Sequence, residues 1–236
     1  MKNLLLAAIA LSIAASFGHT PHPSTTPPVA GMARPAAPAA RMTEDFATVG
    51  SVPPQTDVHG RGLYGDRWDP CIPVTYRIQN PLRGYAGSVW DIRRAVRETS
   101  RVTGMRFVPV AATDTHADLT FVWKTPASEP DLAGDVAART ATWTLTHDGA
   151  QEITSATISL DRTTAIRHGF PTTGLPAWGQ VYLHELGHAA GLSHVAQRDQ
   201  IMDPAVSRYN HVLGSGDLAR LHRVGRSAGC IPHPWR

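Results

Sequence analysis

Apolar and polar residues follow regular patterns between residues 72 and 160, and these patterns predict most of a sheet. Apolar side chains at every second position predict a half-buried strand over 72–78. Ser88 as an N-cap, apolar residues at steps of three and four, and a closing Gly104 predict an amphipathic helix over 88–104. Further strands are predicted over 105–110, 117–123, 136–145 and 152–160, the last two joined as a hairpin by an Asp148-Gly149 turn.

Two more helices are predicted nearer the C-terminus. The first covers about 177–190, and the second covers 217–224 with Ser215 or Asp217 near its N-cap. The order of elements is strand, helix, four strands, helix, loop and helix. This order predicts an α+β fold, an α/β-type sandwich in which helices pack on a sheet, without internal repeats.

The N-terminal 62 residues differ in composition from the rest. Lys2, a short apolar run over 4–15 and small residues up to Gly18 predict a signal peptide over 1–18 and a secreted protein, the alternative being a buried N-terminal helix. Residues 19–62 are rich in Pro and Ala and lack periodicity, so they are interpreted as a flexible linker or short pro-segment. Residues 63–236 then form the folded domain, and no other apolar stretch is long enough for a membrane anchor.

Charge and cysteine content narrow the class of protein. The net charge is only +3 over 236 residues and no dense Lys/Arg run occurs, so no nucleic-acid partner is predicted. The chain has two cysteines, Cys71 and Cys230, and an even number in an exported chain favours one disulfide. The alternative is that Cys71 is a free thiol that caps a metal ion in a latent form.

Residues 184–194, HELGHAAGLSH, carry the pattern with the clearest chemistry. His184 and His188 are four apart, so a helix places both imidazoles on one face, where they can share one Zn²⁺. Gly191 permits the backbone turn that ends the helix and returns His194 as a third ligand. Three protein ligands leave a fourth position open, as a catalytic zinc requires, and Glu185 is placed to act as general base towards a metal-activated water.

A methionine follows the third histidine in the segment Ile201-Met202-Asp203-Pro204. With HExxHxxGxxH, this makes the chain resemble the matrixin branch of the metzincins, the matrix-metalloproteinase-like peptidases, over about residues 64–225. The resemblance implies a zincin catalytic domain with a twisted, mixed five-stranded sheet, long helices and one active-site zinc. It also implies that Met202 forms a Met-turn beneath the metal and that the protein is a secreted zinc metalloendopeptidase, a hydrolase of polypeptides.

The resemblance also implies where substrate binds. An edge strand within 135–143, including Val136, Ala137 and Ala138, would pair with an extended peptide, and the loop over 205–216 would shape the specificity pocket. The protein is expected to be a monomer.

The chain departs from the matrixin pattern at two points. No cysteine precedes Cys71, so the pro-segment cysteine that blocks the zinc in many matrixins is missing. The Asp- and Gly-rich stretches that bind structural calcium and a second zinc in matrixins have no evident counterpart in this sequence. No calcium site is predicted from the scattered candidates Asp131, Asp135, Asp148 and Asp161. Alternative functions are a secreted zinc-binding module without turnover, a structural zinc domain with a fourth protein ligand, and a hydrolase of a non-peptide bond.

Overall fold

A computed structural model describes residues 66–82, 85, 87–147, 150–171 and 175–233, together with the backbone of a strand at 41–48. The predicted signal peptide and the Asp148-Gly149 turn lie outside these residues. The strands are β1 Arg41–Thr48, β2 Asp66–Arg67, β3 Val74–Gln79, β4 Phe107–Pro109, β5 Leu119–Lys124, β6 Val136–His147 and β7 Ala150–Asp161. The α-helices are α1 Gly87–Thr103, α2 Trp178–Ala189 and α3 Ser215–Val224, and single 3-10 turns lie at Pro130–Leu132 and Arg226–Ala228.

The strands form one mixed sheet in the order β1-β6-β7-β5-β3-β4, with β2 added beside the start of β7. Parallel pairing joins β7, β5, β3 and β4, whereas β6 is antiparallel to β7 and β1 is antiparallel to β6. Parallel β3 and β4 need a crossover, and α1 supplies it. The α+β fold with a mixed sheet is therefore confirmed. All five predicted strands are present, but a five-stranded sheet was an undercount because β1 and β2 extend it.

β1 lies within residues 19–62, whose composition predicted a flexible linker or short pro-segment. Its residues, RMTEDFAT, contain no proline, whereas prolines flank them on both sides at positions 38 and 53. A stretch free of proline can pair through its backbone with an exposed sheet edge without any hydrophobic core of its own. Residues 41–48 are therefore ordered as a strand, which the low apolar content of the segment did not suggest.

The helices pack on the sheet through a continuous apolar core. Trp123 of β5 meets Trp178 and Tyr182 of α2, with the two indoles edge to face and 4.6 Å apart. Each aromatic side chain buried this fully stabilises the fold by roughly 1.5–3 kcal/mol relative to an exposed one. α2 is buried along its whole length between α1 and strands β6 and β7. It is therefore a rigid element on which reactive side chains can be held.

The two ends of the domain are tied together beside β2. Cys71 and Cys230, 159 residues apart, form a disulfide with a Cα–Cα distance of 5.4 Å, so the alternative of a free, metal-capping Cys71 thiol is wrong. Buried Asp69 accepts hydrogen bonds from the Cys71 N–H at 2.9 Å and from His233 Nε2 at 3.0 Å. Burial acts to raise the pKa of Asp69, but these bonds and the Ile231 N–H outweigh it and lower the pKa below its ordinary value.

Among the described residues, no helix is both long and apolar enough to span a bilayer.

Candidate metal centre

Helix α2 presents His184 and His188 to the same point in space. The two residues are one turn apart, both are buried, and their Nε2 atoms are 2.9 Å apart. This is the geometry that the four-residue spacing predicted.

The end of α2 returns the chain towards these two imidazoles. Gly191 has φ +97°, and the N–H groups of Gly191 and Leu192 bond back to the carbonyls of His188 and Gly187, which is a Schellman motif. A Cβ at position 191 would lie 2.1 Å from the carbonyl oxygen of Asp66, so only glycine fits. The indole N–H of Trp68 donates to the Ala189 carbonyl at 2.6 Å. This carbonyl of the last helical turn therefore has a hydrogen-bond partner from outside the helix.

His194 follows this turn and completes a triangle of nitrogens. Its Nε2 lies 3.1 Å from that of His184 and 3.0 Å from that of His188. Three imidazole nitrogens held at about 2.0–2.1 Å by one tetrahedral metal would be separated by about 3.3 Å. The observed triangle is close to that size.

The protonation of the two helical histidines leaves their Nε2 atoms as lone-pair donors. His184 Nδ1 lies 2.6 Å from the Ile201 carbonyl, and His188 Nδ1 lies 2.8 Å from the Leu192 carbonyl. A carbonyl only accepts hydrogen bonds, so each Nδ1 carries the proton and each neutral ring has an unprotonated Nε2. Burial first, and then the charge of His194, lower the pKa of His188 well below its ordinary value, and these outweigh the Leu192 carbonyl, which raises it.

Converging lone pairs repel one another, and a cation relieves that repulsion. Three imidazoles that bind in the neutral form suit Zn²⁺. Within the described part of the chain, no fourth His, Cys, Asp or Glu joins this group of ligand atoms. The fourth position is therefore left for water or substrate, which disfavours the structural-zinc alternative.

Glu185 lies beside the histidines and is held by the sheet. Its side chain is 0% exposed, and one carboxylate oxygen accepts a hydrogen bond from the hydroxyl of Thr140 on β6. The same hydroxyl is 3.2 Å from the Glu185 backbone carbonyl. Thr140 is itself buried, so the bond lies in a low-dielectric environment. A charge-assisted hydrogen bond is strong there and holds the Glu185 carboxylate in one orientation.

The residues around Met202 form the floor of the centre. Met202 is buried, and its Sδ would lie 2.2 Å from a Cβ at Gly187, so the sulfur packs directly on the helix backbone between the two helical ligands. The backbone of this turn is fixed by α3, because the buried carboxylate of Asp217 accepts the N–H groups of Ile201 and Met202. The turn that holds His184 through the Ile201 carbonyl is thus anchored from a third helix.

The loop after this turn is attached to the start of α2. Gln180 donates from Nε2 to the Ser207 carbonyl at 2.6 Å and to the buried Asn210 side chain at 3.2 Å. The loop that the resemblance assigns to the specificity pocket therefore starts from a fixed position beside the metal-binding helix.

The strand expected to receive substrate is in place, but its edge is not exposed. Val136, Ala137 and Ala138 lie at the start of β6, and both alanines are 0% exposed. β7 pairs with one side of β6 and β1 pairs with the other, with Ala138 opposite Ala47 and Val136 opposite Thr48. The prediction that this stretch is a sheet edge is wrong for this structure, because residues 41–48 occupy that edge.

The described calcium candidates do not converge. Asp131 pairs with Arg139 at 3.0 Å, and Asp161 accepts the Thr163 N–H at 2.9 Å within its own turn. Neither these residues nor Asp135 belongs to a cluster of metal-ligand atoms among the described residues, and Asp148 lies outside them.

Sequence patterns missed the residues that position the metal ligands, Glu185 and the loop after the Met202 turn. Trp68, Thr140 and Gln180 act over long sequence separations, and Asp217 was read only as a helix cap. One signal was present: threonine at 140, 142, 144 and 146 gives β6 a polar face, and the first three are buried. A buried polar face on a strand needs hydrogen-bond partners, but only the fold shows that Glu185 is one of them.

Comparison with known protein families supports the assignment of the three histidines as a zinc site. The family model for matrixin matches residues 67–223, a span that contains the three histidines, Glu185, Met202 and all three helices apart from the last residue of α3. No match was found among curated proteins. With two thirds of the sequence matched and the metal ligands brought together by the fold, the chain belongs to the matrixin family of zinc metallopeptidases.

Proposed function

We propose that this protein is a secreted endopeptidase that hydrolyses internal peptide bonds with one catalytic zinc. The observation that carries the proposal is the convergence of three imidazole Nε2 atoms next to the buried carboxylate of Glu185. A purely structural zinc site would need no such carboxylate beside an open fourth ligand position.

His184, His188 and His194 would hold the zinc. When bound, it would supply a Lewis acid that polarises the scissile carbonyl and lowers the pKa of a water molecule. The Nδ1 protons of His184 and His188, fixed on backbone carbonyls, keep both rings in the orientation in which Nε2 faces the ion.

Glu185 is assigned to move the proton. Its carboxylate takes the proton of the attacking water and passes it to the amine that leaves. Thr140 is a positioning residue in this scheme, because its hydroxyl fixes one carboxylate oxygen and so directs the other towards the reacting atoms. Met202 shapes the floor of the site and moves no proton.

Secretion is the second part of the proposal. The Lys2 to Gly18 leader pattern and a disulfide between distant cysteines both fit an oxidising compartment outside the cytosol. Expression in the native cell, followed by N-terminal sequencing of the protein in the medium, tests this. A new N-terminus near residue 19 is expected, and retention of the intact chain inside the cell would contradict secretion.

The test of activity uses the zinc-loaded fragment 63–236, since the core residues that the structure describes run from Trp68 to Ile231. The fragment is incubated with a mixed peptide library, and cleavage is mapped by mass spectrometry. Cuts within peptides are expected. Glu185→Ala should retain zinc and lower kcat/KM by about 10²–10⁴-fold, the usual contribution of a general base.

Two results would contradict the proposal in different ways. Substantial turnover by Glu185→Ala would remove Glu185 from its role. No cleavage by the folded, zinc-replete parent fragment, on peptides or on denatured proteins, would favour a zinc-binding module without turnover.

A further inference from the structure

The eight-residue strand β1 pairs with β6, the strand to which the matrixin resemblance assigns the peptide substrate. β1 runs antiparallel to β6 from Arg41 opposite Thr144 to Thr48 opposite Val136. It also lies against helix α2, which carries two of the metal ligands. The segment therefore covers the sheet edge beside the metal centre.

A β-strand has two sides for backbone pairing, and both sides of β6 are occupied. β7 pairs with one side from Ala138 to His147, and β1 pairs with the other from Val136 to Thr144. An extended peptide that adds to β6 needs the N–H and C=O groups that face β1. Binding of β1 and binding of such a peptide to β6 are therefore mutually exclusive.

The register places β1 at the level of the catalytic carboxylate. The backbone of Asp45 lies opposite Thr140, whose hydroxyl contacts Glu185. In this state Glu185 is 0% exposed, although a general base has to reach water and substrate. The stretch of β6 that β1 covers therefore includes the residue that holds the proposed base.

We infer that residues 41–48 are an intramolecular competitor of the peptide substrate, and that they hold the full chain in a latent form by backbone pairing with β6. The inference rests on the proposed function, because it assumes a peptide substrate, and it takes the place of that substrate on β6 from the matrixin resemblance. No cysteine takes part, in keeping with the absence of any cysteine before Cys71.

Latency of this kind depends on covalent attachment. Residues 49–65 join β1 to β2, so β1 competes at a high effective concentration as long as the chain is intact. A cut anywhere in 49–65 would turn β1 into a separate peptide that dilution removes. The natural activating event would therefore be proteolysis in this stretch.

The test disrupts the backbone pairing between β1 and β6 and keeps the net charge equal in the variant and its control. In the full chain, Glu44 and Asp45 are both replaced by proline in one variant and both by alanine in the control. Successive residues of a strand face opposite sides, so one of the two prolines removes an N–H that faces β6. Equal melting temperatures check that the domain stays folded.

Amide hydrogen exchange gives the readout that does not depend on activity. In the proline variant, alternate amides among residues 138–144 should lose protection, because they faced β1, while those between them stay protected by β7. The alanine control should exchange as the parent does. Unchanged exchange in the proline variant would overturn the inference.

Peptide cleavage gives the functional readout. The proline variant should raise kcat/KM of the full chain by about tenfold or more, towards that of fragment 63–236, as expected when a closed state that holds over nine tenths of the molecules opens. The alanine control should stay near the parent. Exposed β6 amides without any gain in activity, while the fragment is active, would also overturn the inference.

Failure of the proposed function would be visible separately, as absence of cleavage by the fragment. The inference is then decided by binding of a labelled peptide with the sequence of residues 41–48. That peptide should bind fragment 63–236 but not the intact chain, and the same peptide with prolines at 44 and 45 should bind neither. Equal binding to the fragment and the intact chain, or to neither, would refute competition at β6.

Discussion

Replacement of Thr140 by valine tests whether the sheet positions the carboxylate of Glu185, the proposed general base. Valine has nearly the shape of threonine but cannot donate the hydrogen bond that the Thr140 hydroxyl gives to Glu185. A hydrogen bond to a charged group contributes about 1.5–3 kcal/mol. If that energy serves to hold Glu185 in its reactive orientation, kcat should fall about ten- to a hundredfold.

The assay compares kcat and KM of fragment 63–236 with those of Thr140→Val, Thr140→Ser and Thr142→Val. Serine keeps the hydroxyl and should restore most of the activity. Thr142 is buried two residues further along the same strand, so its valine variant controls for a change of polarity inside β6. KM and zinc content should stay close to those of the parent in all three variants, while the lost hydrogen bond should lower the melting temperature of Thr140→Val by several degrees and leave it folded at the assay temperature.

The reasoning fails if Thr140→Val keeps full kcat, since Glu185 would then be oriented without the hydroxyl. It also fails if Thr140→Ser is as slow as Thr140→Val, because the methyl group and not the hydrogen bond would be the important feature. A crystal structure of Thr140→Val should show the Glu185 side chain in a changed or mixed conformation.

Three other perturbations have definite expected outcomes. Gly187→Ala places a methyl group 2.2 Å from the sulfur of Met202, so it should lower the free energy of unfolding by about 1–3 kcal/mol and weaken zinc binding. Denaturant titration measures the first effect, and competition with a zinc chelator measures the second. Unchanged values would show that the sulfur does not pack there. Replacing both Cys71 and Cys230 by serine should lower stability by at most about 5 kcal/mol, and reductant should do the same to the parent but nothing to the variant. The pKa of Asp69 is lowered by folding, so its ionised form stabilises the fold fully above the unfolded-state value of about 3.9, and this contribution is lost as pH falls through the lower folded-state pKa. The stability difference between parent and Asp69→Asn should therefore be present at neutral pH and shrink in acid, and a difference that grows in acid would contradict the assigned direction.

Local patterns were sufficient for the elements and for the metal ligands. The spacing of His184 and His188 specifies a shared helix face, and Gly191 specifies the turn that follows, because these are properties of a few consecutive residues. The same holds for the five strands and three helices, whose periodicities are local. The disulfide was also predictable, since the chain has only two cysteines.

Contacts between distant segments could not be predicted from such patterns. The hydroxyl of Thr140 reaches Glu185 across 45 positions, and Trp68 caps α2 across 121, so no spacing in the sequence relates them. Each contact exists only because the sheet and α2 pack at one distance and angle.

The pairing of β1 shows the same limit most clearly. The sequence by itself determined which residues can ligate zinc, which can move a proton and where the helices and strands of the domain lie. Only the tertiary structure decided that a proline-free stretch in a proline-rich segment lies on β6, because backbone pairing uses N–H and C=O groups that every residue but proline carries and so leaves little trace in side-chain pattern.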